Sequence, residues 1–279
     1  MDRWSQLGDH PPRQLSAARL DMHHAAQPVA IAVGRALIPH RDDDSHTTLT
    51  WLHDAGQWVG EPIPNTPNLR AGLRPTDLVL TLGTVDAPAA QHFALIGQRR
   101  QDALGWLRNG LGAHGVDPAS VVFDPHYDMP DHPVANGAPW DDVRTAERLE
   151  LTGYFAAASA VLVDVVDAQS NAPLSPVLTW PHHFDVGALL EHGDDSSRSI
   201  GIGLSPGDGH YDEPYFYVSP YPGPEGIDLP LPAGHWHEAP RFKGAVLTAT
   251  ELLTADDRDA TARTFLDAAI AAARTLLDR

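Results

Sequence analysis

Apolar residues recur along this chain with two periods, and each period predicts a kind of element. After Pro88, Phe93, Ile96, Ala103, Leu104, Leu107 and Leu111 fall at helical spacing, one stripe of a helix that ends at Gly112 or Gly115. A longer helix is predicted over 141–168, with Val143, Leu149, Tyr154, Phe155, Ala158, Val161, Leu162 and Val165 on a broad apolar face. Asp141 is its expected N-cap, a carboxylate able to accept an otherwise unpaired backbone N–H. The last helix is expected after Thr254, whose Thr-x-x-Asp pattern with Asp257 resembles a capping box. Its stripe is Phe265, Leu266, Ala269, Ile270, Ala273 and Leu277.

Strand signals lie between these helices. A short helix over 14–24 is closed by Pro28, and the aliphatic run 28–40 reads as a strand interrupted at Gly34. Residues 47–51 alternate, 57–59 are their expected partner, and 78–82 form another apolar strand. The run 42–44 (DDD) reads as a solvated turn, 61–68 as a Pro-rich loop, and SNAPLSP at 170–176 as a return to strand. The loop over 117–139 holds His126, Asp128, Asp131 and His132, which a site could recruit.

The fold class that follows is α+β, a predominantly antiparallel sheet with amphipathic helices on one side. Residues 1–139 and 140–279 share a coarse order of helix, strands opened by a Pro-Val pair (Pro28-Val29, Pro176-Val177) and amphipathic helix. Two similar halves and one continuous domain both remain open.

Composition narrows the function classes. The 279 residues carry 19 basic and 37 acidic side chains, a net charge of −18 that repels nucleic acid phosphates and anionic membrane surfaces. Neither partner is expected. The N-terminal stretch lacks a signal-peptide apolar core, so the expected location is cytoplasmic. With no cysteine, any metal must be held by His, Asp, Glu or Tyr.

Candidate chemistry concentrates over 180–237, which is dense in His, Tyr, Pro and Gly. If PHHFDV is a strand, His183 and Asp185 share one face; in GHWH, His235 and His237 share one face with Trp236 opposed. Glu213, Tyr215, Tyr217 and Ser219 form a polar row, leaving Phe216 and Val218 for the core. His183, Asp185, His235 and His237 are therefore the candidate ligand pool for a divalent metal such as zinc, iron or manganese. Glu213 is the candidate base, Tyr215, Tyr217 and Trp236 line a substrate cleft, and Arg241 is a candidate carboxylate or phosphate anchor. SPGDG at 205–209 reads as a tight turn rather than a phosphate loop.

These strings carry a resemblance. WPHHFD (180–185), SPGD (205–208), EPYFY (213–217) and GHWH (234–237), followed by GAVL (244–247), resemble a bacterial protein family of unknown function, over mainly the last hundred or so residues. The resemblance implies a bacterial single-chain protein of about this size and brings no activity, substrate or cofactor.

The expected function is a metal-dependent enzyme acting on a small polar molecule, hydrolysis being preferred. Two alternatives stand beside it. One is a non-haem iron oxygenase; the other is a non-catalytic small-molecule binder with an aromatic and histidine-lined cleft.

Overall fold

The computed structural model describes Trp4 and residues 7–84, 86–87, 89–169, 175–193 and 197–279. Pro88 and most of SNAPLSP, two markers of the sequence reading, lie outside the described residues. The chain divides into two compact units, and both are α+β with antiparallel sheets. One comprises Ala17–Thr152 and Thr179–Phe184; the other comprises Met1–Ser16, Gly153–Leu178 and Asp185–Arg279. They are called the N-terminal and C-terminal units below. The main division falls at Thr152/Gly153, thirteen residues beyond the expected 139, and short segments of each unit come from the far part of the sequence.

The N-terminal unit opens with α1 (Ser16–Val29), which continues into a π-helical turn, Ala30–Arg35. The run 28–40 is thus helical where a strand was expected. Pro28 sits inside α1, where it supplies no N–H for the carbonyl four residues back, and the wider turn begins two residues later. Because Val29, Ala30, Ile31, Ala32 and Val33 are all buried, their aliphatic character reflects all-round burial rather than a pleated face.

Five short strands follow, β1 (Thr50–Leu52), β2 (Gln57–Val59), β3 (Arg70–Arg74), β4 (Val79–Gly83) and β5 (Gln91–Ala94), paired in sequential order. The expected partnership of 47–51 with 57–59 appears as β1 and β2, with Trp51 opposite Trp58. Phe93 belongs to β5, so the helical stripe begins later, in α2 (Arg100–Gly112), at Ala103, Leu104, Leu107 and Leu111. Gly110 lets α2 approach the sheet closely, since a methyl there would come within 2.5 Å of Leu82 Cδ1.

Helix α3 (Thr145–Asp167) contains the division between the units. It starts later than expected, because Asp141 accepts the Val143 N–H in a turn ahead of the helix. Val143 and Leu149 are exposed, and Leu151, Tyr154, Phe155, Ala158, Val161, Leu162 and Val165 carry the burial. Among the described helices only α3 has the length and apolarity to cross a membrane, and 67% of that window is buried in the fold.

The C-terminal unit is built on a six-stranded sheet in the order β10-β11-β9-β8-β7-β6. Its strands are β6 (Leu178–Trp180), β7 (Asp185–Glu191), β8 (Ser199–Ser205), β9 (Tyr215–Tyr221), β10 (His235–Ala239) and β11 (Phe242–Thr248), of which β7 to β11 belong wholly to this unit. This order differs from the sequential one of the first sheet, because β10 folds back on β11 at the edge. The capping box expected at Thr254 sits instead at Thr248 and Glu251, opening α4 (Ala249–Leu253), while Asp257 alone caps α5 (Arg258–Leu277). All six predicted stripe residues of α5 are buried, and the helix packs across β8, β9 and β11.

Candidate metal centre

The N-terminal unit gathers imidazoles around one loop. Asp44 adopts a left-handed conformation, φ 59°, which Asp tolerates because its short polar side chain can bond locally. It leads a 3-10 turn, Ser45–Thr47, and its carbonyl accepts both the N–H and the hydroxyl of Thr47 at 2.9 Å. The turn rests on the π-helical backbone at Gly34, where a Cβ would lie 3.1 Å from the His46 carbonyl. This close approach fixes His46, whose ring is buried.

His40, Asp44 and His46 form a group that can hold a metal ion, each offering one ligand atom, all within 4.8 Å of one another. His126 Nε2 lies 2.9 Å from Asp44 Oδ2 and orients the carboxylate. Burial acts to raise the Asp44 pKa, but the His126 bond and the nearby imidazoles outweigh it and hold the group below its ordinary value. Burial, then the neighbouring His40, lowers His46; burial and His183 hold His182 at about 4. Imidazoles so lowered are neutral at pH 7 and present lone pairs, the form a metal requires. One competitor is present, since the Arg41 N–H points at His46 Nδ1 from 3.3 Å, and an ion at that nitrogen would replace it. The Arg41 guanidinium is bonded to both oxygens of Glu61.

A further polar cluster of this unit surrounds the turn at 181–184. His23 Nε2 lies 2.7 Å from the Pro181 carbonyl, Gln27 donates to the same oxygen, and Tyr127 donates to Gln27 at 2.7 Å. Phe184, at φ 57°, is buried with its ring stacked 4.8 Å from His23. This geometry removes the strand on which the pairing of His183 with Asp185 depended. The strand begins only at Asp185, whereas His183 is exposed in the turn and belongs to the other unit.

The remaining predicted residues lie in the C-terminal unit. Asp185 is buried and accepts the Tyr217 hydroxyl; Tyr215 donates to Asp208 Oδ2 at 2.6 Å. Burial first, then these carboxylates, raises both phenols above their ordinary pKa, so they remain protonated donors. Tyr217 needs bare backbone beneath it, for a Cβ on Gly203 would meet its hydroxyl at 2.5 Å. Glu213, the expected base, is buried and accepts the Thr250 N–H and hydroxyl at 2.7 and 2.6 Å, which ties it to the start of α4. Trp236 Nε1 donates to the Leu229 carbonyl, and Arg241 is exposed in the turn between β10 and β11.

His235 and His237 do share one strand face, as parity requires, with Tyr211 Oη 2.9 Å from a nitrogen of each. Among the described residues, His183, Asp185, His235 and His237 do not form a compact ligand group; His40, Asp44 and His46 do. The signal for that group was present in the sequence as His-x-x-x-Asp-x-His. By charge alone its acidic core, 42–44, reads as a solvated turn.

Comparison with known proteins adds no relative: no family model, no curated protein and no solved structure matches this chain.

Proposed function

We propose that this protein is a metal-dependent hydrolase of small polar molecules, with a divalent ion of the zinc, iron or manganese class held by His40, Asp44 and His46. The observation that carries the reading is the compact set of two imidazoles and one carboxylate, with His126 hydrogen-bonded to that carboxylate. An ion held by three protein ligands keeps positions open, where it lowers the pKa of bound water and polarises a substrate oxygen. The chain's own contribution is orientation. His126 fixes Asp44, the Gly34 contact fixes His46, and Arg41 stands beside the group as an anchor for an anionic substrate once Glu61 yields.

Exposure favours hydrolysis over oxygenation. The His40 side chain is 72% exposed and that of Asp44 34%, so water reaches the group freely. Oxygen-derived intermediates call for a site that excludes water. The binding-protein alternative loses its supports, because the hydroxyls of Tyr215 and Tyr217 and the indole N–H of Trp236 are already engaged within the unit. A cytoplasmic location, with neither nucleic acid nor membrane as partner, completes the proposal.

The test is elemental analysis of tag-free protein after incubation with zinc or manganese and exhaustive dialysis, alongside His40→Ala and Asp44→Ala. Near one equivalent retained by the parent and lost in both variants, together with hydrolysis of activated ester or phosphoester probes, is the expected result. A folded parent that retains no metal would sink the proposal.

A further inference from the structure

The C-terminal unit carries a second convergence of donors, assembled by different means. Strand alternation along β10 sets His235 and His237 on one face. The loop after β8 then brings Tyr211 over them. Asp208 Oδ1 accepts the N–H groups of His210 and Tyr211 at 2.7 and 3.2 Å, and the Asp208 N–H bonds the Tyr211 carbonyl at 2.8 Å, so the loop is closed on itself. The result places Tyr211 Oη 2.9 Å from His235 Nε2 and 2.9 Å from His237 Nδ1.

One hydroxyl has one proton, so it can donate to only one of these imidazoles. Glu251 decides which. Its Oε2 is held by the Thr248 N–H and hydroxyl at 2.9 Å, and its Oε1 faces His235 Nδ1 at 3.4 Å. A carboxylate there requires the His235 proton on Nδ1, which leaves the Nε2 lone pair pointing at Tyr211. A carboxylate that orients an imidazole from its far nitrogen is the outer arrangement found around metal-bound histidines.

The distances fit an ion as well as hydrogen bonds. In the tetragonal geometry of copper(II), ligands at right angles to one another on bonds of about 2.0–2.1 Å have donor-to-donor edges of about 2.9 Å. Both edges from Tyr211 have that length. The His235 side chain is 45% exposed, which gives an ion an entry path and leaves positions for water.

We propose that Tyr211 Oη, His235 Nε2 and His237 Nδ1 form a second metal site, separate from the loop group, that takes copper(II). Imidazole nitrogens suit this ion, and copper(II) stands highest in affinity among the first-row dications. On binding, two metal–nitrogen bonds and one metal–oxygen bond form. Tyr211 releases its hydroxyl proton to solvent and becomes a phenolate; neutral His237 carries its proton on Nε2; no group changes oxidation state. Glu251 balances the excess positive charge from behind His235.

The experiment is a copper(II) titration of the tag-free full chain followed by visible absorption, because phenolate ligation produces a charge-transfer band that imidazole and carboxylate ligands do not. The band should reach its maximum at one equivalent, persist in His40→Ala, and vanish in Tyr211→Phe. His235→Gln should weaken the binding that gives the band by tenfold or more. A parent without the band, a band that survives Tyr211→Phe, or a band lost with His40→Ala overturns the assignment. Circular dichroism establishes that each variant is folded. If Tyr211→Phe is not, His235→Gln carries the test, and unchanged affinity there is equally fatal. Failure here leaves the loop proposal standing, since that rests on metal lost in Asp44→Ala.

Discussion

Two aspartates of the N-terminal unit each meet a histidine Nε2 at about hydrogen-bond distance, yet they serve opposite ends. Asp21 in α1 accepts from both nitrogens of the Arg144 fork at 2.7 and 2.8 Å, from Arg148 at 3.2 Å, and lies 3.0 Å from His132 Nε2. Asp44 Oδ2 lies 2.9 Å from His126 Nε2, and among the described residues no arginine donates to its carboxylate. Two guanidiniums give Asp21 permanent positive charge and fill its lone pairs; Asp44 keeps a negative charge that a metal ion can answer. Counting histidines near a carboxylate therefore says little. What decides is whether arginine already bonds that carboxylate.

The largest effect should come from dismantling the first cluster. Arg148 is 0% exposed, so Asp21→Ala leaves a buried guanidinium without its carboxylate, a change that costs about 3–5 kcal/mol. Urea unfolding would read this as a lower midpoint at unchanged slope, and the folded fraction should still bind metal. A loss below about 1 kcal/mol would mean that solvent reaches the cluster and that the contrast with Asp44 is false.

Acid should act on the same region, with a smaller effect for each group. Burial chiefly holds His23 at about 3 and His24 at about 4, against an ordinary 6.5. Below pH 6.5 the unfolded chain therefore binds protons that the folded chain refuses. The stability contributed by these neutral imidazoles is full above 6.5 and falls as pH drops toward 4 and then 3, by about 2 kcal/mol per group at pH 5. Asp21 acts in a later window. Burial would raise its pKa, but His132, Arg144 and Arg148 prevail and hold it at about 2, so its contribution disappears between about pH 4 and 2. Thermal melts from pH 7.5 to 4 should show the histidine phase, and His23→Gln should flatten it.

The same contrast shows what was legible in the sequence. Alternation correctly assigned Phe216 and Val218 to the core and put His235 beside His237, because a regular strand makes side-chain direction a matter of parity. The stripe of α5 was legible for the corresponding helical reason. Parity misled at 181–184, where left-handed Phe184 turns the chain and a short apolar-polar string only imitates a strand. It misled again at 28–40, since full burial selects aliphatic residues in a helix as it does in a strand. The Asp44 group was hidden for a further reason. Its geometry depends on a turn seated against Gly34 and on His126, 82 residues away, and no local period encodes such contacts.

The smallest expected change in stability is also the sharpest test of the comparison. Asn accepts the left-handed conformation of position 44 as readily as Asp does and keeps one oxygen for His126, so Asp44→Asn should alter unfolding stability by no more than about 0.5 kcal/mol. The carboxylate charge is lost, however, and charge is what distinguishes this position from a hydrogen-bonding turn residue. Zinc affinity measured against a chromophoric chelator should fall at least a hundredfold, while Asp21→Ala, despite its far larger effect on folding, should leave the affinity of the folded protein unchanged. Equal affinity in Asp44→Asn and the parent would show that the imidazoles alone bind the ion, and the parallel between the two aspartates would then end at geometry.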